Sequence, residues 1–228
     1  MPEYSDVARA FSSGATGYDG DRSKLIPHFT LLYEAALDLI RDWHGPESPK
    51  VLDIGAGTGL LASMVLKLRP DAAVTLLDAS DDMLERARAH FAGQAAVTFR
   101  VGDMSRAALG AGWDLVISSL AIHHLDDAHK RALFVHIREA LKPGGLFINV
   151  EQVSGPDPLT DERYERFWQR DIVANGATDA QIAAAAERME FDRCASVEAQ
   201  LQWMREAGFR AVDCSVKAWR CAVLTGAA

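Results

Sequence analysis

The sequence predicts an α/β fold, a doubly wound and mostly parallel sheet in a single domain. Three observations predict it. Short apolar runs alternate with stretches of helical periodicity from Lys50 to Val150, and such alternation builds βαβ units with right-handed crossovers. A glycine-rich turn, Gly55-Ala-Gly-Thr-Gly59, stands where the first apolar run gives way to the first of these helices. The chain has 228 residues, the size of one α/β domain with a modest insertion, and such a domain needs no disulfide staples.

The elements follow in order. Ala10 to Arg22 is rich in Gly and Ser and predicts a segment that stays mobile unless something orders it. Leu25 to Trp43 carries Leu25, Phe29, Leu32, Leu37 and Ile40 at helical spacing, which makes residues 1–44 a helical N-terminal cap. Residues 45–151 form the core. Its strands are Lys50 to Ile54, Ala73 to Asp78, Val97 to Val101, Trp113 to Ser118 and Leu146 to Val150. Its helices are Gly59 to Leu68, Asp81 to Phe91 (capped by Ser80 or Asp81) and Asp126 to Leu141, the last stopped by Pro143-Gly-Gly. The rhythm then breaks. Leu159 to Glu190 reads as two extra helices, so residues 152–195 are a helical lid inserted after the fifth strand and lying over the sheet's end. In residues 196–228, Ser196 to Ala207 is an amphipathic helix capped by Ser196 and closed by Gly208, and two final strands occupy Phe209 to Thr225.

Composition excludes several classes. At 49% hydrophobic and 25% charged residues the chain is that of an ordinary soluble globule. The cysteines Cys194, Cys214 and Cys221 are odd in number and lack a CxxC pair, which reads as reduced thiols in a cytoplasmic protein. The opening MPEYSDVARAF has no apolar stretch of signal-peptide type, and no run approaches the roughly 20 apolar residues of a membrane span. A formal net charge of −8 argues against nucleic acid as the default partner.

The chemistry is concentrated after the strands. Ligands of open α/β sheets bind beyond the carboxyl ends of the strands at the switch point, and glycines there let a ligand approach bare backbone. The turn here is GxGxG, with Asp53 two residues before Gly55. Dinucleotide sites use GxGxxG. Asp78 closes the second strand, where an acid can accept from both ribose hydroxyls. It suits an NAD site equally, so it does not by itself choose the cofactor. Gly102-Asp103-Met104 follows the third strand, Asp114-Leu-Val starts the fourth, and Lys142-Pro-Gly-Gly145 leads into the fifth.

Taken together, these motifs resemble the class I S-adenosylmethionine-dependent methyltransferases, closely over residues 45 to 151 and loosely through Ala207-Gly-Phe209. The resemblance implies a seven-stranded sheet with the last strand antiparallel, and S-adenosyl-L-methionine as cofactor. It implies that Gly55, Ala56 and Gly57 face the methionine and ribose, that Asp78 holds the ribose, and that Ala79, Ser80 and Met83 flank the adenosine. Asp103 and Met104 would hold the adenine, Ser119 and Leu120 would lie near the sulfonium, and Asp53 would organise the glycine loop or reach the amino group through water. In relatives a segment before the first helix folds over the cofactor. Tyr18 would then close the pocket, with Arg22 or Lys24 on the methionine carboxylate; a solvated start is the alternative.

Each assignment has a plainer counterpart. Asp78 can serve only as a helix cap, Asp103 only as a turn acid, and Met83 and Met104 only as core filler. His123 and His124 follow the fourth strand and are candidate general bases, because imidazole titrates near neutrality; packing is the alternative. No Asp/Glu/His spacing supports a metal site with His28. Tyr164, Phe167, Trp168 and Arg170, with Trp219 and Arg220, would either line a planar or anionic acceptor or simply pack the lid down. The expected function is methyl transfer to an O, N or C atom of a small-molecule acceptor. The chain is also similar to the branch that makes carboxy-S-adenosylmethionine for tRNA wobble uridine. There an arginine in the helix before AGF is implied to hold the extra carboxylate, and Trp203 stands at that place here. A non-catalytic S-adenosylmethionine-binding protein and an NAD-dependent oxidoreductase are the other readings. A homodimer stays open.

Overall fold

The computed structural model describes residues 23–228. Seven strands form one sheet in the order β3-β2-β1-β4-β5-β7-β6. They are β1 (Lys50–Ile54), β2 (Ala73–Asp78), β3 (Val97–Val101), β4 (Trp113–Ser119), β5 (Leu141–Gln152), β6 (Arg210–Ala218) and β7 (Cys221–Ala227). β1 pairs in parallel with both β2 and β4, and β7 runs antiparallel to β5 and β6. Chain order therefore reverses direction across the sheet between β1 and β4, the switch point at whose carboxyl ends sheets of this kind bind their ligands.

The helices are α1 (Phe29–Asp42), α2 (Leu60–Leu68), α3 (Asp81–His90), α4 (Asp127–Ala140), α5 (Pro158–Ala174), α6 (Asp179–Met189) and α7 (Val197–Glu206). Strand residues alternate between two core layers, as a period of two requires. Val51, Leu115 and Ile117 pack with Leu32, Ile40 and Val65 on one face; Leu52, Ile54 and Val116 pack with Ile137, Trp203 and Met204 on the other. Strands covered on both faces read as continuous apolar runs, which is why they were legible.

The first helix departs from expectation. Periodicity starts it at Leu25, yet α1 begins at Phe29. Pro27 carries no N–H, and His28 sits in the left-handed region at φ 60°, so the chain turns there. Leu25 instead packs against the lid cluster of Trp168, Ile172 and Ala185, and Trp168 Nε1 donates to its carbonyl at 3.1 Å. Of the two candidate caps for α3, Ser80 is the one used: its Oγ accepts from Met83 N at 3.2 Å. Ser196 caps α7 as its sequence position predicts. Among the described residues no helix is long and apolar enough to cross a membrane.

Candidate functional site

The candidate site is built from the loop after β1. Gly55, Gly57 and Gly59 have φ of 65°, 56° and 81°, values open to glycine at little cost. Gly55 N and Ala56 N donate to Leu77 O at 2.8 and 3.1 Å, which ties the loop to the end of β2. A Cβ on Gly55 would stand 2.3 Å from Ala121 Cβ, so the loop passes here with no room for a side chain. Asp53, 1% exposed, lies at the foot of the loop.

Asp78 is the hinge of this geometry. Its Oδ2 accepts from Gly57 N at 2.7 Å and its Oδ1 from Ser80 N at 2.8 Å. The carboxylate thus joins the glycine loop to the start of α3 from the end of β2. The capping role at α3 belongs to Ser80 Oγ, so the reading of Asp78 as merely a cap does not describe its contacts.

Ala79 joins Asp78 to that cap. Met83 and Met104 are both buried. Met104 Cε comes within 3.5 Å of the place a Gly55 Cβ would occupy, which puts it against the underside of the loop. Asp103 Oδ1 accepts from Ser105 N at 2.8 Å and Ser105 Oγ at 2.7 Å. These contacts close a turn on one carboxylate oxygen, and the other, Oδ2, has Arg106 Nε 4.0 Å away.

β4 delivers Ser119 and Leu120. Ser119 Oγ shares a 2.6 Å hydrogen bond with Tyr33 Oη of α1. Tyr33 is a site neighbour that sequence reasoning missed, because at helical spacing it reads as one more apolar contact. Leu120 has φ 51°, and its N–H donates to Val150 O at 2.8 Å. A branched side chain in the left-handed region stores backbone strain of the kind that clusters at functional sites.

His123 and His124 lie on a short 3-10 turn, Ile122–His124, and both are buried. His123 Nδ1 meets Glu151 Oε1 at 2.6 Å, and its Nε2 faces Asp192 Oδ1 at 3.5 Å. His124 Nδ1 lies 3.2 Å from the same Asp192 oxygen. Glu151 is fully buried and also accepts from Asn149 Nδ2 and Gln152 N at 3.1 and 2.8 Å. The Gln152 amide donates to Asp192 Oδ2. Burial alone would lower the His123 pKa, but the carboxylates of Asp192 and Glu151 outweigh it and raise it. His124 is lowered by burial and by its charged neighbour His123. Burial would raise Asp192, and the two imidazoles bring it below the usual carboxylate range. Cys194, beside this network, is pushed up to about 12 by burial and by Asp192, so it is a thiol and not a nucleophile.

Other candidates are placed elsewhere. Tyr18 and Arg22 lie outside the described residues. Lys24 is described, and its carbonyl accepts from Asn175 Nδ2 at 3.3 Å. His28 Nε2 lies 3.8 Å from Asp171 on α5, apart from the His123–His124 pair. Trp219 makes edge contacts with Tyr164 and Phe167, with ring centroids 6.3 and 4.3 Å apart. Arg170 stacks over Phe167, Arg220 over Trp168, and Arg220 is ion-paired with Glu165. Trp219 and Arg220 thus pack the β6–β7 turn against α5.

A family model described as "Methyltransferase domain" matches residues 51–145. A malonyl-[acyl-carrier protein] O-methyltransferase of Xylella fastidiosa is 33% identical over 173 residues, 73% of this chain and 54% of that protein. The carboxy-S-adenosyl-L-methionine synthase of Methylococcus capsulatus is 25% identical over 88% of this chain and 85% of its own. An O-methyltransferase family protein from Burkholderia thailandensis shares the fold at a TM-score of 0.64 with 18% identity, covering 86% of this chain and 56% of that one. Residues 51–145 are thus a methyltransferase domain, and the relatives the chain resembles are S-adenosylmethionine-dependent methyltransferases, whose cofactor is S-adenosyl-L-methionine. The chain spans about half the length of the first curated relatives it matches, 54% in each case.

Proposed function

We propose that this chain transfers the methyl group of S-adenosyl-L-methionine to an O, N or C atom of a small-molecule acceptor. The observation that carries the reading is the Asp78 carboxylate, which ends β2 beside the glycine loop and grips that loop through Gly57 N at 2.7 Å, the place where an acid can meet a ribose. Gly55 to Gly57 offer backbone to the methionine and ribose, Ser80 and Met83 border the adenosine, and Asp103 with Met104 takes the adenine. Ser119 and Leu120 stand toward the sulfonium.

The reaction asks little of side chains. The methyl moves from a positively charged sulfur to the acceptor atom, and the sulfur leaves neutral with the electron pair of the broken bond. Aligning acceptor, methyl and sulfur supplies much of the acceleration, because proximity and orientation are worth roughly 7–11 kcal/mol. The carboxy-cofactor reading finds no support at its diagnostic position. Trp203 is buried in the second core layer with Arg131 over its ring at 4.9 Å, so α7 presents an indole where a cation would be needed.

Thermal denaturation with added ligands tests the proposal. At about 100 times its Kd a ligand stabilises the native state by about 2.7 kcal/mol, or roughly 5–10 °C in Tm for a chain of this size. S-adenosylmethionine and S-adenosylhomocysteine should both give that shift, and NAD none. Asp78→Ala should weaken both roughly 10- to 100-fold, the worth of hydrogen bonds to a charged group. Stabilisation by NAD alone would overturn the reading. A screen of acceptors read by S-adenosylhomocysteine release then identifies the substrate class; silence across hydroxyl, amine and carbon acceptors would favour a binding protein without turnover.

A further inference from the structure

The His123–His124 pair and Asp192 bring three possible ligand atoms close together. His123 Nε2 and His124 Nδ1 lie 3.5 and 3.2 Å from Asp192 Oδ1, and the ligand atoms of the three residues all lie within 4.8 Å of one another. Ligands about 2.0–2.2 Å from a common transition-metal ion stand about 3.0–3.5 Å apart. The spacing to Asp192 therefore needs little adjustment to accept an ion.

The surroundings are those of a supported ligand set. Ligating imidazoles are commonly oriented by a carboxylate on the other ring nitrogen, and ligating carboxylates are themselves hydrogen-bonded. Here Glu151 holds His123 Nδ1 at 2.6 Å, and the Gln152 amide holds the second oxygen of Asp192. Glu151 is in turn fixed by Asn149 Nδ2 at 3.1 Å. Charge points the same way. Two carboxylates, one fully buried and one with a side chain 10% exposed, face two imidazoles. The buried ammonium of Lys130 is engaged by the carbonyls of Leu125 and Arg193 and by Asp127. Ligation requires both imidazoles in their neutral form, and a divalent cation bound there would balance the two carboxylates.

We propose that His123, His124 and Asp192 form a binding site for one divalent first-row transition ion. Two imidazoles and one carboxylate suit zinc and its neighbours and leave a fourth position for water or an acceptor heteroatom. The site ties the 3-10 turn after β4 to the connection between α6 and α7, and it assigns both histidines as ligands in place of a general-base role. It stands independently of the methyl-transfer reading.

The test uses the full chain, stripped with a chelator and titrated with Zn2+ by calorimetry and with Co2+ by visible absorption. One equivalent of Zn2+ should bind, and Co2+ should develop the intense ligand-field bands of a four- or five-coordinate site. Asp192→Asn, which preserves shape, and His124→Ala should each weaken Zn2+ binding at least roughly 100-fold. Glu151→Gln should weaken it roughly 10- to 100-fold, as loss of an outer-shell partner does. His129→Ala, at an exposed histidine paired with Asp126, should leave it unchanged. Wild-type protein that takes up no equivalent of Zn2+ would overturn the site. So would binding that survives Asp192→Asn, or a Co2+ spectrum identical to that of the hydrated ion.

Discussion

Gly55 is where one added methyl group would do the most damage. It combines φ of 65° with a neighbouring Ala121 Cβ only 2.3 Å from the new atom. Strain of this kind and overpacking each cost about 1–3 kcal/mol. Gly55→Ala should therefore lower unfolding free energy by about 2–4 kcal/mol in urea and abolish the thermal shift by S-adenosylmethionine. A variant that keeps wild-type stability and affinity would show that the loop has space. Tyr33 is the opposite case, a contact that adds polar precision to an apolar helix. Tyr33→Phe and Ser119→Ala remove the two ends of one 2.6 Å hydrogen bond. Each should cost about 1 kcal/mol, and the double variant should cost less than the sum. Additive losses would mean that the hydroxyls do not support one another.

At the scale of elements, the lid's stem is held by a lysine that has no place in the proposed chemistry. Lys130 is fully buried on α4, and its ammonium is held by Leu125 O at 2.5 Å and by Arg193 O. The Arg193 N–H donates back to His123 O at 2.8 Å. Lys130→Met keeps the apolar stem but leaves two carbonyls without their donor. It should cost about 2–4 kcal/mol and speed amide exchange at residues 190–195 before the rest of the chain. Uniform exchange would place the effect in the core instead. This stem also marks the boundary of what the sequence makes legible. The strands, the caps Ser80 and Ser196, the glycine loop and Asp78 are each written in local pattern: apolar runs, Ser at a helix start, Gly where φ is positive. Glu151 ends an apolar strand and could have been read as a site acid from that place alone. Asp192 has no such signal. It lies near the end of the insertion, in the connection after α6, and only the fold carries it to two histidines some seventy residues earlier in the chain. The start of α1 was missed for a similar reason: Leu25 keeps helical spacing, but its apolar side chain belongs to the lid.

For the molecule as a whole, the open question of acceptor size turns on electrostatics. The chain shares 25% identity with a carboxy-S-adenosyl-L-methionine synthase across most of both lengths. Nucleic acids are held chiefly by Lys and Arg that displace counterions from phosphates. This chain carries 24 Lys and Arg against 32 Asp and Glu. Several of its cations are engaged internally: Lys142 with Asp114, Arg88 with Asp81, Arg220 with Glu165 and Lys130 inside the core. Among the described residues these pairs reduce the positive charge free to follow a backbone. Even nonspecific binders reach Kd of about 10⁻⁴–10⁻⁶ M at physiological salt, so this chain should fall at or beyond the weak end of that range. The measurement is a titration of fluorescent tRNA at physiological salt and again at reduced salt. No saturation below about 100 µM in the first condition is the expected result. Micromolar binding with a steep salt slope would instead reveal a cationic track, and the acceptor screen would have to begin with RNA rather than with metabolites.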